Sequence, residues 1–145
     1  MLPAAILAAS FGAATAFDMA QAINARSQHF KAMGRAAKTV QDELKSPSPN
    51  PAIVQAQAQV IAQFAQQLPT WFPRGSGPES GVKTDAKPEI WSQPAKFQQA
   101  AATFADRTRQ FEALSAKGLG PQTRGAAAQV GRTCKACHDD FRIPR

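Results

Sequence analysis

The chain has 145 residues and a mass of 15.5 kDa, enough for one domain and too few for an architecture of about two hundred residues. Hydrophobic residues form 43% of it and charged residues 19%, a balance that excludes wholesale disorder. The net charge is +7, but the basic residues form no run and have no interleaved aromatics, which argues against nucleic-acid binding. Abundant Ala and Gln, no Tyr and few β-branched residues predict an all-α fold.

The first sixteen residues, 1–16, have the character of an export signal. They carry no charged side chain and end in the small-x-small triplet Ala14-Thr15-Ala16. They lack a basic n-region, so a buried N-terminal helix is the alternative interpretation. The segment is too short to span a bilayer, and no other segment is apolar enough to do so. We therefore expect a mature domain over 17–145, beginning near Phe17, in the periplasm.

Two antiparallel helices are predicted next. Interior-type residues recur in steps of four and three through the first, as on the inner face of a bundle helix: Met19, Ile23, Arg26, Phe30, Met33, Ala37, Val40 and Leu44. The prolines of 47–51 end this helix, and Asn50 is the predicted cap of the second. The predicted inner face of the second helix is Ile53, Gln57, Val60, Phe64 and Leu68.

Two more helices follow an irregular segment. Residues 69–93 are rich in Pro and Gly, and their large apolar side chains can pack the segment on itself: Trp71, Phe72, Ile90 and Trp91. The third helix begins near Pro94, with the inner face Phe97, Ala101, Phe104, Thr108, Phe111 and Ser115. The fourth begins after Pro121, with the inner face Thr123, Ala127, Val130, Cys134, Cys137 and Phe141. We predict an antiparallel up-down four-helix bundle with both cysteines facing its interior.

The chemistry lies in Cys134-Lys135-Ala136-Cys137-His138, the C-x-x-C-H pattern of c-type haem attachment. On a helix, the two thiols and the imidazole lie within about one turn of each other and can all contact one planar macrocycle. A thioredoxin-type redox pair is the first alternative, but it requires a βαβ setting. Zinc is the second, but it requires four ligands and this cluster offers three, with His29 the only distant histidine.

The helical chain with C-x-x-C-H near its C-terminus resembles the cytochromes c′. The similarity covers nearly all of residues 18–145: an Arg on the first helix, the glycine-rich stretch 74–77, the stretch 87–92 and residues 134–142. The resemblance implies an exported, usually dimeric four-helix-bundle protein. It also implies one haem c, attached through two thioethers, whose iron is bound by one histidine and takes nitric oxide and sometimes carbon monoxide.

Carried over residue by residue, this resemblance assigns haem attachment to Cys134 and Cys137 and iron ligation to His138. Arg142, four residues later, can stack near the imidazole or act as an ordinary helix C-terminal cation, and both interpretations stay open. Arg26 matches the family's first-helix Arg, which the resemblance places near a haem propionate, and a buried charge on this face would require such an anion. A surface Arg that lies along the helix and keeps its charge in water is the alternative.

Phe30 lies one turn after Arg26, where low-spin relatives place a Met ligand. A phenyl ring has no lone pair for iron, so we expect five-coordinate iron with an apolar distal side. Met33 and His29 are the residues of this helix that could alter this prediction. Core packing is the expected role of Met33, and a position at the rim is expected for His29.

The expected function is gas binding, chiefly of nitric oxide, for sequestration or transport. The alternative is an electron carrier whose positive charge docks to an acidic redox partner. A peroxidase-type enzyme requires polar distal groups to handle protons, and Phe30 offers none, so we expect no enzyme activity.

Overall fold

The computed structural model describes residues 15–144, which form a four-helix bundle of up-down topology, as predicted. Its long helices are α1 (Ala16–Lys45), α2 (Pro51–Gln67), α4 (Pro94–Ser115) and α5 (Pro121–Phe141). A one-turn helix, α3 (Glu89–Ser92), and two 3-10 turns, Leu68–Trp71 and Pro78–Ser80, lie between α2 and α4. No helix within residues 15–144 is long and apolar enough to cross a membrane.

Short polar side chains cap the first two helices. The Thr15 hydroxyl accepts a hydrogen bond from the Asp18 N–H, and the Asp18 carboxylate accepts one from the Thr15 N–H, a reciprocal capping box. Asn50 caps α2 as predicted, accepting a hydrogen bond from the Ala52 N–H at 3.0 Å. The predicted export signal lies almost entirely outside the described residues, because the structure describes nothing before Thr15.

The long helices pack as a chain of neighbours that leaves one edge of the bundle open. Helix α1 packs on α2, α2 on α4, and α4 on α5. Within residues 15–144, α1 and α5 have no comparable backbone contact. Side chains, not backbones, therefore fill the space between α1 and α5, and we call this space the α1–α5 slot.

The predicted inner faces hold for three helices and hold only in part for α2, where Leu68 is buried and Val60 and Phe64 pack against the core. All six predicted α4 residues are buried. On α1 the buried residue is Ala36 rather than the predicted Ala37, and on α5 it is Ala126 rather than the predicted Ala127. On α2 the buried face is Val54, Ala58, Ile61, Ala62, Ala65 and Leu68. The predicted Ile53 is 36% exposed, so its assignment to the core was wrong. Helix α2 is apolar on several sides, so its periodicity does not identify the inner face, and small alanines lie where the neighbouring helices come close.

The irregular segment 69–93 packs on itself, as predicted. Trp71 and Ile90 are buried, and the Trp91 indole donates to the Phe72 carbonyl at 3.1 Å. Phe72 then contacts the Phe97 ring of α4, with 5.0 Å between centroids. This segment is therefore a fixed part of the fold beside α1 and α5.

The corrected face of α2 predicts a large loss of stability for one of two matched substitutions and little change for the other. Ile61 is 2% exposed, so Ile61→Ala should lower the free energy of unfolding by about 2–4 kcal/mol. Ile53→Ala removes the same atoms from an exposed site and should change it by about 0.5 kcal/mol or less. Urea unfolding of both variants measures the difference. A larger loss for Ile53→Ala would restore the face predicted from sequence.

Candidate functional site

Cys134 and Cys137 occupy the inner side of α5 near its C-terminal end. Both are free thiols, half-buried, and both pack against the hydrophobic core, as predicted. Burial raises the pKa of Cys134, and it raises the pKa of Cys137 to about 11, with smaller contributions from Cys134 and Asp140. Both thiols are therefore neutral at physiological pH, and they lie at the border between the core and the surface.

His138 lies one residue further along, on the last turn of α5, and is exposed. Partial burial lowers its pKa, and the nearby Arg142 cation lowers it further, while Asp139 acts in the opposite direction. The neutral imidazole, the form that ligates metals, is thus favoured. Its ring faces Phe30 of α1, with 6.5 Å between the two centroids.

Phe30 extends from α1 into the α1–α5 slot. Its ring contacts Trp71 edge-on at 5.3 Å and Phe72 at 6.2 Å, in addition to His138. These aromatic neighbours form an apolar wall opposite His138. Sequence analysis predicted this apolar side from Phe30 alone, and the structure adds Trp71 and Phe72 to it.

The other two α1 candidates, Met33 and His29, are placed differently. Met33 is 8% exposed and belongs to the hydrophobic core, in line with the packing role expected of it. The His29 ring stacks on Trp71 at 4.6 Å and lies 5.8 Å from Phe64 of α2, and its Nδ1 atom is buried without a hydrogen-bond partner. His29 is therefore a half-buried packing residue between α1, α2 and the 3-10 turn, rather than a rim residue.

Arg26 is 4% exposed and organises the irregular segment. Its Nη1 donates to the Trp71 carbonyl and the Ser76 hydroxyl, and its Nη2 donates to the Ser76 carbonyl and the Thr84 hydroxyl, at 2.9–3.3 Å. Its guanidinium also lies 4.6 Å from the centroid of the Phe72 ring. Burial lowers the pKa of Arg26 to about 10, so it remains a cation, and these four hydrogen-bond acceptors are uncharged.

The glycine-rich stretch is shaped to receive this cation. Gly75 has a φ of +88°, which favours glycine, and this turn precedes the fully buried Ser76. A Cβ on Gly77 would lie 2.8 Å from a ring atom of Trp91, so only glycine fits there without a shift. The sequence indicated this stretch only through the family resemblance. Its physical role is to bring Ser76 to Arg26, which the sequence did not indicate.

The last turn of α5 is fastened to residues 85–87, which the sequence did not indicate. The Lys87 N–H donates to the Phe141 carbonyl at 2.9 Å, and the Ile143 N–H donates to the Asp85 carbonyl at 2.7 Å. These bonds accompany an antiparallel bridge between Ala86 and Arg142. We call residues 85–87 the C-terminal clamp.

Arg142 is placed by this clamp. Its guanidinium lies 3.6 Å from the Asp85 carboxylate, and its backbone N–H caps α5 through the His138 carbonyl. Its charge also lowers the pKa of His138. The structure thus places Arg142 at the C-terminal end of α5 in an ion pair, and stacking on the imidazole stays a prediction.

The residues present fit a haem c. Two neutral thiols and an imidazole lie on one turn of α5 beside the α1–α5 slot. The Phe30 and His138 rings face each other across this slot with 6.5 Å between their centroids. Within residues 15–144, no three His, Cys, Asp or Glu side chains are grouped as a metal site. A βαβ unit, which the thioredoxin alternative requires, is not formed by these residues.

Comparison with known proteins agrees with this arrangement. The cytochrome C′ family model matches residues 21–142. The cytochrome c′ of Pararhodospirillum photometricum is 34% identical over 118 residues, which cover 81% of this chain and 92% of the relative.

Two solved structures are also similar. One is a ferrous variant of cytochrome c′ from Alcaligenes xylosoxidans with bound nitric oxide, at a TM-score of 0.78 and 27% identity, covering 92% of this chain and 100% of that one. The other is a cytochrome c′ described as having a ligand-controlled dimer dissociation, at a TM-score of 0.80 and 25% identity, covering 87% and 97% of the two chains. Fold, motif and similarity over nearly the whole chain agree, and the chain belongs to the cytochrome c′ family.

Proposed function

We propose that this protein is a periplasmic haem c protein with five-coordinate iron that binds small uncharged diatomic gases, chiefly nitric oxide, for sequestration or transport. The observation that carries the proposal is the position of the Phe30 ring opposite His138 across the α1–α5 slot. One side of the slot offers an imidazole, and the other offers a ring with no lone pair. The nitric oxide complex of the Alcaligenes xylosoxidans relative supports the choice of gas.

Three residues of α5 would hold the haem. Cys134 and Cys137 would attach it through two thioethers, and His138 would be the axial ligand. When bound, haem supplies an iron atom that can take a diatomic ligand. The buried Arg26 cation, whose described hydrogen-bond acceptors are all neutral, is the residue we propose to lie near a propionate.

Phe30, Trp71 and Phe72 determine what can approach on the side opposite His138. Their rings form an apolar wall that favours small uncharged molecules over charged ones, because a charge loses its hydration there. None of these three side chains carries an acid or a base for proton transfer. The proposal is therefore a binding protein and not an enzyme.

Electron transfer to an acidic redox partner is the competing function, and the net charge of +7 is compatible with it. A carrier reorganises least when iron keeps two protein ligands. Met33 in the core and His29 against Trp71 are both committed to packing, which favours the gas-binding function.

The first prediction of the proposed function concerns attachment and export. The intact mass of haem-loaded protein under denaturing conditions should equal residues 17–145 plus one haem, because thioethers survive unfolding and the signal is removed after Ala16. Cys134→Ala or Cys137→Ala should weaken haem retention. Haem lost from the wild type on denaturation would contradict covalent attachment. Retained Met1 on the haem-loaded chain would contradict export processing alone.

The second prediction concerns Phe30 as a steric gate. A ligand must displace the ring, and displacement in a packed interior costs about 1–3 kcal/mol. Phe30→Ala should therefore raise carbon monoxide affinity roughly tenfold or more, measured by equilibrium titration of the ferrous protein. Phe30→Met should instead give a low-spin, six-coordinate spectrum.

Phe64→Ala is the matched control for this gate. Phe64 contacts Trp71 and His29, so its loss removes comparable aromatic packing from the neighbouring helix α2. Carbon monoxide affinity in this variant should stay within about twofold of the wild type. Equal affinity changes in Phe30→Ala and Phe64→Ala, or none in either, would contradict the gate.

We also propose that a second copy of the chain covers the outer face of α2. This 17-residue helix contains no charged residue, although 27 of the 145 residues are charged, counting 17 basic and 10 acidic. Its exposed residues include Ile53 and Ala56, and charge-depleted faces are typical of interface cores. The dimer described for one solved relative supports this choice of partner.

Two alanine-to-glutamate substitutions test the interface by sedimentation velocity. Ala56→Glu places two buried charges in a symmetric interface, so it should convert the dimer to a monomer. Ala102→Glu introduces the same charge on the exposed side of α4 and should leave the dimer intact. A monomeric wild type, or dissociation by Ala102→Glu alone, would contradict the proposed interface.

A further inference from the structure

The C-terminal clamp binds the end of α5 at several residues that follow His138. The Lys87 ammonium donates to the Asp139 carbonyl at 2.9 Å, and the Lys87 N–H donates to the Phe141 carbonyl. The Asp85 carboxylate pairs with Arg142. The residues directly after His138 are thus fixed by bonds from outside their own helix.

A second set of contacts closes the opposite side of this turn. Lys96 of α4 lies 3.2 Å from the Asp140 carboxylate, and the buried Phe141 ring packs edge-on against Phe97 at 5.3 Å. The end of a helix normally frays, because its last carbonyls have no partners within the helix. Here the carbonyls of Asp139 and Phe141 both accept from Lys87, which removes that freedom.

The clamp is also joined to α1, the helix that carries Phe30. The Thr84 hydroxyl oxygen accepts from Arg26 Nη2 at 2.9 Å and from the Ala86 N–H at 3.2 Å. Arg26 is one helical turn from Phe30. One hydroxyl therefore links the helix on one side of the α1–α5 slot to the segment that fastens the other side.

We propose that Thr84 and Lys87 are positioning residues for His138: Lys87 fixes the turn that carries the imidazole, and Thr84 fixes the clamp relative to α1. The inference rests on the proposed role of His138 as axial ligand. It goes beyond that role, because it assigns the orientation of the ligand to a loop more than 50 residues earlier in the chain.

Resonance Raman spectroscopy of the ferrous, ligand-free, haem-loaded protein tests the proposal through the iron–histidine stretching band. Lys87→Met should broaden this band and shift it to lower frequency, because the imidazole samples more orientations. Thr84→Val, which keeps the shape of the side chain and removes the shared acceptor, should change the band in the same direction. Amide exchange at residues 139–143 should become about tenfold faster in Lys87→Met, the factor expected for a lost charged hydrogen bond.

Two controls match these variants. Lys83→Met removes an exposed lysine four residues before Lys87, and Thr70→Val removes an exposed hydroxyl that bonds to the Gln67 carbonyl. Neither should alter the band or the exchange at residues 139–143.

These measurements distinguish a positioning role of the clamp from a structural role only. An unchanged band in Lys87→Met and Thr84→Val, with or without faster exchange, would overturn the proposal, because the clamp would then be structural only. A wild type with no band from His138 would contradict the proposed function instead. The positioning role would then fall with it, and faster exchange at residues 139–143 in Lys87→Met would show that the clamp is structural only.

Discussion

The separation of α1 from α5 is the constraint on which the rest of this structure depends. Backbone packing joins α1 to α2, α2 to α4 and α4 to α5, and it leaves the fourth edge to side chains. Phe30 and His138 face each other across that edge with 6.5 Å between their rings. If α1 and α5 packed as closely as the other neighbours, the thiols and the imidazole would have no space in which to hold a planar cofactor.

Two devices keep this edge in place, and both involve the irregular segment between α2 and α4. On the α1 side, the buried Arg26 cation gathers Trp71, Ser76 and Thr84 through four hydrogen bonds. On the α5 side, residues 85–87 pair with the end of the helix. The irregular segment 69–93 thus holds α1 and α5 at a fixed separation, and we call this segment the brace. Its aromatic residues also supply the apolar wall around Phe30.

Helical periodicity and one motif were enough to predict most of this architecture. The steps of four and three placed every inner-face residue of α4 correctly, because Phe97, Phe104 and Phe111 stand out against polar neighbours. The same reasoning succeeded only in part on α2, because small alanines occupy much of its buried face and Ile53 is exposed. C-x-x-C-H predicted the candidate site residues on α5 without any tertiary information.

The brace could not be predicted, because its bonds join residues far apart in the chain. Lys87 and Asp139 are 52 residues apart, and Arg26 and Thr84 are 58 apart. Short polar residues such as Ser76 and Thr84 in a loop carry no signal of their partner. The buried Arg26 on an otherwise apolar helix face led us to expect an anion beside it, whereas its described hydrogen-bond acceptors are four uncharged oxygens.

The number of ligands on the iron tests this account most directly. Absorption and electron paramagnetic resonance spectra of the purified haem-loaded protein report it in the ferric and ferrous states. The account predicts high-spin, five-coordinate haem c in the ferrous protein, with a nitric oxide complex forming on addition of the gas. A low-spin, six-coordinate spectrum in both states that Met33→Ala or His29→Ala converts to high spin would contradict it.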